Sequence, residues 1–440
     1  MGRFDELTGI LPDTADVSDA GHLTIGGCDT VSLAAEHGTP LYVFDEVTLR
    51  GQCSLFREEF GTRYDDLRVI HAAKALLNRA LVRLLMEEGL GLDVVSGGEL
   101  SIAKSVGFPT ENVYFHGNNK QVDELELAIS SGVGRIVVDN TYELGLVDKL
   151  ARTHGVRQDI LLRLSPGIDP HTHQHTTTGI VDSKFGLAMV TGEAEEAVRR
   201  AVETPSVRLV GLHAHLGSPI FSTEPYEQAV AVMLRFAADM VAKHGLDFRE
   251  FSPGGGFAVQ YTVDQPAPQI AEYAAAITEA IASSCRELGL DRPRLIVEPG
   301  RAIVGRAGVA LYTVGATKDV PGVRKYVSVD GGMGDNIRPA LYDARYEAIV
   351  ANRMNADATE KVTIAGKFCE SGDILVRDVQ LPSIAPGDII AISVSGAYCL
   401  PMASNYNASL RPAVVFVRGG EARLVRRRDS YEDLIRNDLV

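Results

Sequence analysis

Apolar runs rich in β-branched residues alternate with amphipathic stretches between about residue 67 and residue 305. Eight of these runs are short and are followed by turn residues, which is typical of buried parallel strands. They span residues 67–74, 91–95, 112–116, 135–139, 159–164, 207–215, 247–252 and 294–298. The stretches between them, such as 121–131 and 226–244, repeat apolar residues at helical spacing. Eight alternations of strand and helix are the number that closes a TIM (β/α)8 barrel.

After Arg306 the pattern changes to alternating β-type runs with turns, and helical spacing becomes rare. This change predicts a separate, mostly β domain. The segment 23–44 is also β-rich, so we expect it to pair with that carboxy-terminal domain. The sequence therefore predicts an α/β chain with an N-terminal segment of the β domain at 1–45, a barrel at 46–306 and a C-terminal β domain at 307–440.

Charge and cysteine content narrow the class of protein. The chain has 43 Lys and Arg against 58 Asp and Glu, a net charge of −15. A general nucleic-acid binder needs a basic face, so we expect no nucleic-acid partner. No secretion signal and no uninterrupted apolar span is visible, and the five cysteines show no CxxC spacing. We expect a reduced, cytoplasmic protein with no membrane partner.

Polar residues capable of catalysis concentrate at the carboxyl ends of the predicted strands, which is the face where barrel enzymes have their active sites. They are Lys74, Asp93, His116, Arg163, His215, the glycines 254–256 and Glu298. Two independent patterns thus agree on one face of the predicted barrel.

Three of these features together indicate a cofactor. The run Gly254-Gly255-Gly256 is either a flexible loop or a cradle for phosphate, and its place late in the barrel favours phosphate. Lys74 lies in an apolar strand, where a desolvated lysine can form a Schiff base. Glu298 would then face the ring that carries the phosphate, with Arg301 pairing with the phosphate or with a substrate carboxylate. This combination is typical of a pyridoxal phosphate site.

Other interpretations stay open on the residues alone. His213 and His215 place two imidazoles on one strand face, as in metal-dependent barrel hydrolases, but a further ligand is hard to find downstream. The loop histidines 171, 173 and 175 are a second metal candidate or part of a segment that covers the substrate. A catalytically silent cofactor-binding protein would also need the glycines and Lys74. Cys369 is either a buried structural cysteine or, given its polar neighbours, a proton donor at a domain or subunit boundary.

Taken in order, these segments resemble the alanine-racemase-fold (type III) pyridoxal phosphate decarboxylases, and their diaminopimelate branch in particular. The resemblance runs from about residue 20 to the carboxy terminus. The matching segments are 73–75, 93–100, 116–120, 182–186, 213–218, 254–256, 298–301, 337–342, 369–373, 396–398 and 404–407.

The resemblance implies roles for particular residues. Lys74 would hold the cofactor covalently, His215 would stack on its ring and Glu298 would bond the ring nitrogen. The implied cofactor-binding set is Lys74, Asp93, His215, Ser218, Gly254, Gly255, Gly256, Glu298, Gly300, Arg301 and Tyr398. The implied substrate-binding set is Arg301, Arg338, Tyr342, Glu370 and Tyr398. No metal is implied.

The resemblance also implies the reaction and the assembly. Cys369 would donate a proton, and together with Glu370 it would reach the site from the neighbouring subunit of a homodimer. The implied reaction converts meso-2,6-diaminopimelate to L-lysine and CO2, the last step of lysine biosynthesis. The chain departs from the family pattern at His71, at Leu76, at 173–179 and at 399–401, but no residue with an implied role is lost.

Overall fold

The computed structural model describes residues 3–169, 178 and 182–439. The chain forms two compact units. The barrel unit comprises Cys53–Ala258 and Pro268–Gly300, and the β unit comprises Met1–Gln52, Val259–Ala267 and Arg301–Val440. The domain bounds expected from the sequence, 1–45, 46–306 and 307–440, stay a prediction.

The strands are numbered along the chain. They are β1 (Asp16–Val17), β2 (Leu23–Ile25), β3 (Cys28–Asp29), β4 (Leu41–Asp45), β5 (Leu67–Ala72), β6 (Gly91–Val94), β7 (Val113–Phe115), β8 (Arg135–Val138), β9 (Gln158–Ser165), β10 (Leu187–Ala188), β11 (Val207–His213), β12 (Glu250–Ser252), β13 (Arg294–Val297), β14 (Gly308–Val320), β15 (Arg324–Val329), β16 (Ala348–Val350), β17 (Glu360–Ala365), β18 (Ile374–Leu381), β19 (Ile389–Ile392), β20 (Ala413–Arg418) and β21 (Glu421–Arg426).

The helices of the described residues are numbered in the same way. They are α1 (Arg3–Leu7), α2 (Thr30–His37), α3 (Glu46–Gly61), α4 (Arg79–Glu87), α5 (Gly97–Lys104), α6 (Val122–Ser130), α7 (Thr141–His154), α8 (Glu193–Glu203), α9 (Glu224–His244), α10 (Ile270–Leu288), α11 (Arg301–Val304), α12 (Arg338–Tyr342) and α13 (Tyr431–Ile435). None of them combines the length and the apolar composition that crossing a membrane requires.

Eight parallel strands close the barrel unit. Their order is β5, β6, β7, β8, β9, β11, β12 and β13, and β13 pairs again with β5. The predicted TIM (β/α)8 barrel is therefore confirmed, with each predicted strand present. Two strands end two residues earlier than predicted: β5 stops at Ala72 because residues 73–75 form a 3-10 turn, and β11 stops at His213.

Buried apolar side chains fill the barrel unit. One cluster takes Ile70, Tyr114, Val137, Leu161, Val210 and Ile296 from six of the barrel strands, and each is at most 2% exposed. Burying an Ile, Leu or Val side chain stabilises a fold by about 1.5–3 kcal/mol relative to leaving it in water. The rigid barrel that results fixes the strand ends, where the polar residues lie.

The sequence also explains where the longest helix begins and ends. Helix α9 has Pro225 in its first turn, where the missing N–H costs no hydrogen bond. It ends at Gly245, which adopts the left-handed conformation with φ +68°. The predicted helix at 226–244 is confirmed to within two residues.

In the β unit, strand β4 lies at the centre of the main sheet. It pairs antiparallel with β14 and parallel with β20, and Leu41 stands opposite both Leu311 and Ala413. The expected pairing of the amino-terminal segment with the carboxy-terminal domain is confirmed. The segment 23–44 is not continuous β structure, however, because Asp29 caps helix α2 by accepting hydrogen bonds from the N–H groups of Val31 and Ser32 at 2.8 and 3.0 Å.

Candidate active site

Lys74 lies on a short turn directly after strand β5. Its Nζ is 3.9 Å from Asp93 Oδ2, and its side chain is 39% exposed while the Asp93 side chain is 1% exposed. Behind the turn, His71 is fully buried and its Nε2 lies 3.0 Å from the carbonyl oxygen of Leu76. Because a carbonyl only accepts, the imidazole donates from Nε2 and closes the turn around Lys74. Burial lowers the pKa of His71 to about 4, so this imidazole is neutral at pH 7.

Two carboxylates are buried close to one another at this end of the barrel. Burial, reinforced by the charge of Glu298, raises the pKa of Asp93 to about 7 in spite of Lys74. Glu298 behaves in the opposite way: burial would raise the pKa of this carboxyl, but His213, His116 and Ser252 hold it below its usual value. At neutral pH Glu298 is therefore ionised, while Asp93 titrates in that range.

Hydrogen-bond donors surround Glu298. His213 Nε2 lies 3.1 Å from Oε2, and the Ser252 hydroxyl donates to Oε1 at 2.8 Å. Burial lowers the pKa of His213, so a neutral imidazole donates from Nε2. His116 packs edge-on against the His213 ring at 4.8 Å, and its Nε2 lies 3.6 Å from Glu298 Oε1. The strand ends of β7, β11, β12 and β13 thus converge on a single carboxylate.

His215 is tied to the glycine run. The N–H of Gly255 donates to His215 Nδ1 at 3.3 Å, so the imidazole is the neutral tautomer with its proton on Nε2. Burial lowers the pKa of His215 well below its usual value, in agreement with that tautomer. The N–H of Gly254 donates to Ser252 Oγ at 3.1 Å, which links the glycine run to Glu298 through one hydroxyl.

Side chains do not fit on the glycine run. A Cβ on Gly255 would lie 2.2 Å from the carbonyl oxygen of Glu298, and one on Gly256 would lie 2.4 Å from that of Gly217. Gly256 has φ +104°, a conformation that side chains disfavour. Among the described residues, the N–H of Gly256 has no hydrogen-bond partner. Close packing of this backbone against its neighbours therefore requires glycine, and the N–H of Gly256 is left available to a ligand.

In the β unit, two buried arginines share a tyrosine. Arg301 Nη1 donates to Tyr261 Oη at 2.6 Å, and the guanidinium of Arg338 lies 4.9 Å from the centre of the same ring. Tyr398 lies 4.8 Å from the guanidinium of Arg301 and has φ +62°, an unusual conformation for a tyrosine. The two arginines are 5% and 6% exposed. Arrays of this kind bind anions.

Cys369 and Glu370 lie elsewhere in the β unit, on an exposed loop. The loop is held by the carboxylate of Asp373, which accepts hydrogen bonds from the N–H groups of Met333 and Phe368 at 2.6 and 2.8 Å. The N–H of Cys369 donates to Asn407 Oδ1 at 2.9 Å. None of the contacts that the structure gives Cys369 or Glu370 is with Arg301 or Arg338.

The other residues with predicted roles lie in different parts of the chain. Ser218 and Gly300 belong to the barrel unit and Tyr342 closes helix α12 of the β unit. The loop histidines 171, 173 and 175 lie outside the described residues. Three contributors were missed from the sequence: Ser252, Tyr261 and Tyr346. Ser252 stands two residues before the glycine run, so its closeness to that motif could have indicated a role. Tyr261 and Tyr346 belong to no motif in the sequence.

The residues present fit a pyridoxal phosphate cofactor. The structure offers an accessible amine at Lys74, a buried and ionised carboxylate at Glu298 and a backbone cradle at the glycine run. Both carboxylate oxygens of Asp93 and the Nε2 of His116 are buried without a hydrogen-bond partner among the described residues. Buried polar atoms rarely stay unsatisfied, so a ligand with polar groups is expected at these strand ends.

Comparison with known proteins decides the family. A family model described as the pyridoxal binding domain of pyridoxal-dependent decarboxylases matches residues 47–305. A curated diaminopimelate decarboxylase of Bacillus subtilis is 45% identical over 429 residues, 98% of this chain and 98% of that protein. The chain belongs to the diaminopimelate decarboxylase family. Its members are pyridoxal-dependent decarboxylases, so the chain is a carboxy-lyase with pyridoxal phosphate as cofactor.

Solved structures agree with this family. A crystal structure of diaminopimelate decarboxylase from M. jannaschii has a TM-score of 0.91 and 35% identity, covering 97% of this chain and 98% of that one. A second structure of that protein, in co-complex with L-lysine, matches equally well. The metal-hydrolase alternative loses support, since the family is one of cofactor-dependent decarboxylases.

Replacing Gly256 by alanine is expected to weaken binding of pyridoxal phosphate to the apoprotein by at least about tenfold, because the new Cβ would clash with backbone in the cradle. The measurement is an absorbance titration with the cofactor. Gly192→Ala is the matched control, since Gly192 has φ +83° but no atom within 4 Å of its added Cβ. Equal affinity in the two variants would contradict the assignment of the cradle.

Proposed function

We propose that this decarboxylase acts on meso-2,6-diaminopimelate at its D centre and releases CO2 and L-lysine, the last step of lysine biosynthesis. The main support is the near full-length match to curated diaminopimelate decarboxylases, at 45% identity over 98% of both chains. The buried pair Arg301 and Arg338 adds support, because it suits a substrate that carries a second carboxylate. Such an enzyme works where its substrate is made, so we propose a cytoplasmic location.

The proposed roles at the barrel follow from the electrostatics. Bound pyridoxal phosphate supplies the electron-accepting ring that takes up the electron pair released when the bond to CO2 breaks. Lys74 Nζ would hold the cofactor covalently. Glu298, ionised and bonded by His213 and Ser252, would hold a proton at the ring nitrogen. His215 would stack on the ring, with its tautomer set by Gly255.

The remaining cofactor contacts are proposed from position. The glycine run would hold the phosphate with its backbone, together with Ser218, Gly300, Arg301 and Tyr398. Asp93 borders the lysine at 3.9 Å, where its titration near pH 7 would modulate the charge around Nζ.

On the substrate side, Arg301, Arg338, Tyr342 and Tyr398 would bind the carboxylate that stays on the product. Glu370 would bind the distal amine and Cys369 would return a proton to the carbon that has lost CO2. Cys369 and Glu370 are exposed and make no contact with the two arginines in their own chain. This separation supports a homodimer in which each subunit contributes the loop with Cys369 to the site of the other.

Purified protein with pyridoxal phosphate and meso-2,6-diaminopimelate is expected to release CO2 and L-lysine in equal amounts, as measured by CO2 evolution and amino-acid analysis. Lys74→Ala is the control and should lose both the turnover and the absorbance band of the covalently bound cofactor. Turnover of L-ornithine or L-lysine in place of meso-diaminopimelate would overturn the substrate assignment. A cofactor band without any turnover would favour a silent binding protein.

Mixing the Lys74→Ala and Cys369→Ala variants tests the shared site. If each site takes Lys74 from one subunit and Cys369 from the other, random reassociation restores about a quarter of the wild-type activity, because half the dimers are mixed and each has one intact site. The mixture is dissociated, reassociated and assayed for turnover. A mixture no more active than the average of its two components would contradict the shared site.

A further inference from the structure

We propose that Tyr261 is a positioning residue that fixes the guanidinium groups of Arg301 and Arg338 relative to one another and so makes the β unit selective for a ligand with a carboxylate that the reaction retains. The inference rests on the proposed function in one respect, the binding of that carboxylate by the two arginines. It goes beyond it by assigning the selectivity to a tyrosine that binds no substrate atom itself.

One side chain contacts both arginines. The phenol oxygen of Tyr261 accepts a hydrogen bond from Arg301 Nη1 at 2.6 Å. The face of the same ring lies 4.9 Å from the guanidinium carbon of Arg338. Tyr261 is itself only 7% exposed, so its ring has little freedom to move. A rotation of this ring would displace both cations together.

A second tyrosine restrains Arg338 from another direction. The ring of Tyr346 stands nearly perpendicular to that of Tyr261, at 88° and 5.3 Å between centres. Its hydroxyl accepts a hydrogen bond from Arg338 Nη1. The hydroxyl also lies 3.6 Å from Cys399 Sγ, and the thiol in turn lies 3.7 Å from the carbonyl oxygen of Ala397. The Tyr346 ring is thereby tied to the backbone near Tyr398.

The buried guanidinium of Arg338 has no negatively charged partner among the described residues. Among the described residues, no carboxylate lies within ion-pair distance of Arg338, although its side chain is almost fully buried. Aromatic faces and phenol oxygens stabilise a guanidinium but bring no negative charge. A buried cation with no counter-ion is costly, so the cluster favours an anionic ligand.

A carboxylate is the anion that this geometry suits in an amino acid. A decarboxylase removes one carboxylate of its substrate, so an anion that is bound throughout the reaction must be the second one. Two guanidinium groups at a fixed separation donate hydrogen bonds to a planar carboxylate, and they bind it more specifically than one mobile cation does. A diamine without a carboxylate gains nothing from them.

The test compares two ligands that differ only in that carboxylate, L-lysine and 1,5-diaminopentane. In Tyr261→Phe, which keeps the ring and removes the acceptor for Arg301, binding of L-lysine to the holoenzyme is expected to weaken at least about fivefold. Binding of 1,5-diaminopentane should stay within about twofold of the wild type, and Tyr261→Leu should weaken L-lysine further. Calorimetry measures both ligands, and the cofactor absorbance reports that each variant is folded and loaded.

Tyr326→Phe is the matched control, because Tyr326 also stands beside an arginine of the β unit, with Arg324 at 5.9 Å from its ring. This control should bind both ligands as the wild type does. Equal weakening of the two ligands in Tyr261→Phe, or no weakening of L-lysine, would overturn the inference. The experiment needs no turnover, so a failure to decarboxylate meso-diaminopimelate is distinguished from a failure of this inference.

Discussion

Two carboxylates buried side by side cannot easily both be ionised, and the barrel resolves this by giving them different surroundings. Glu298 receives hydrogen bonds from His213 and Ser252, which stabilise its charged form. Asp93 receives none from the described residues, and its pKa rises to about 7. Glu298 thus carries a fixed negative charge, while Asp93 titrates near neutral pH. The proposed chemistry depends on this difference.

The backbone is subject to an equally strict constraint. Ser252 donates to Glu298 and accepts from the N–H of Gly254, so the carboxylate and the glycine run are set by one hydroxyl. The glycine run in turn fixes the tautomer of His215. Because these positions share hydrogen bonds, a change at one of them is expected to disturb the others.

Much of this arrangement could be predicted from the sequence, because it depends on local patterns. The eight barrel strands follow from short apolar runs, and Lys74 and Glu298 follow from their places at strand ends. The contacts of Tyr261 and Tyr346 could not be predicted, since they join residues far apart in the chain and neither tyrosine stands in a motif. The residues of strand β21 are mostly exposed, so no alternation of apolar and polar positions marks this strand in the sequence.

Two of the residues that depart from the family pattern make defined contacts in the folded chain. His71 donates from Nε2 to the backbone carbonyl of Leu76 across the turn that carries Lys74, an acceptor that any residue at position 76 would supply. Cys399, in the departing segment 399–401, lies with its Sγ 3.6 Å from the hydroxyl of Tyr346.

Isotope-edited infrared spectroscopy of the apoprotein can observe the charge of Glu298 and of Asp93 separately. The structure predicts that the ionised-carboxylate band removed by Glu298→Gln is present throughout the range from about pH 5 to pH 9. It also predicts a neutral carboxyl band, absent from Asp93→Asn, that disappears as the pH rises through about 7. A protonated Glu298 together with an ionised Asp93 at neutral pH would show that the barrel does not divide the charge in this way.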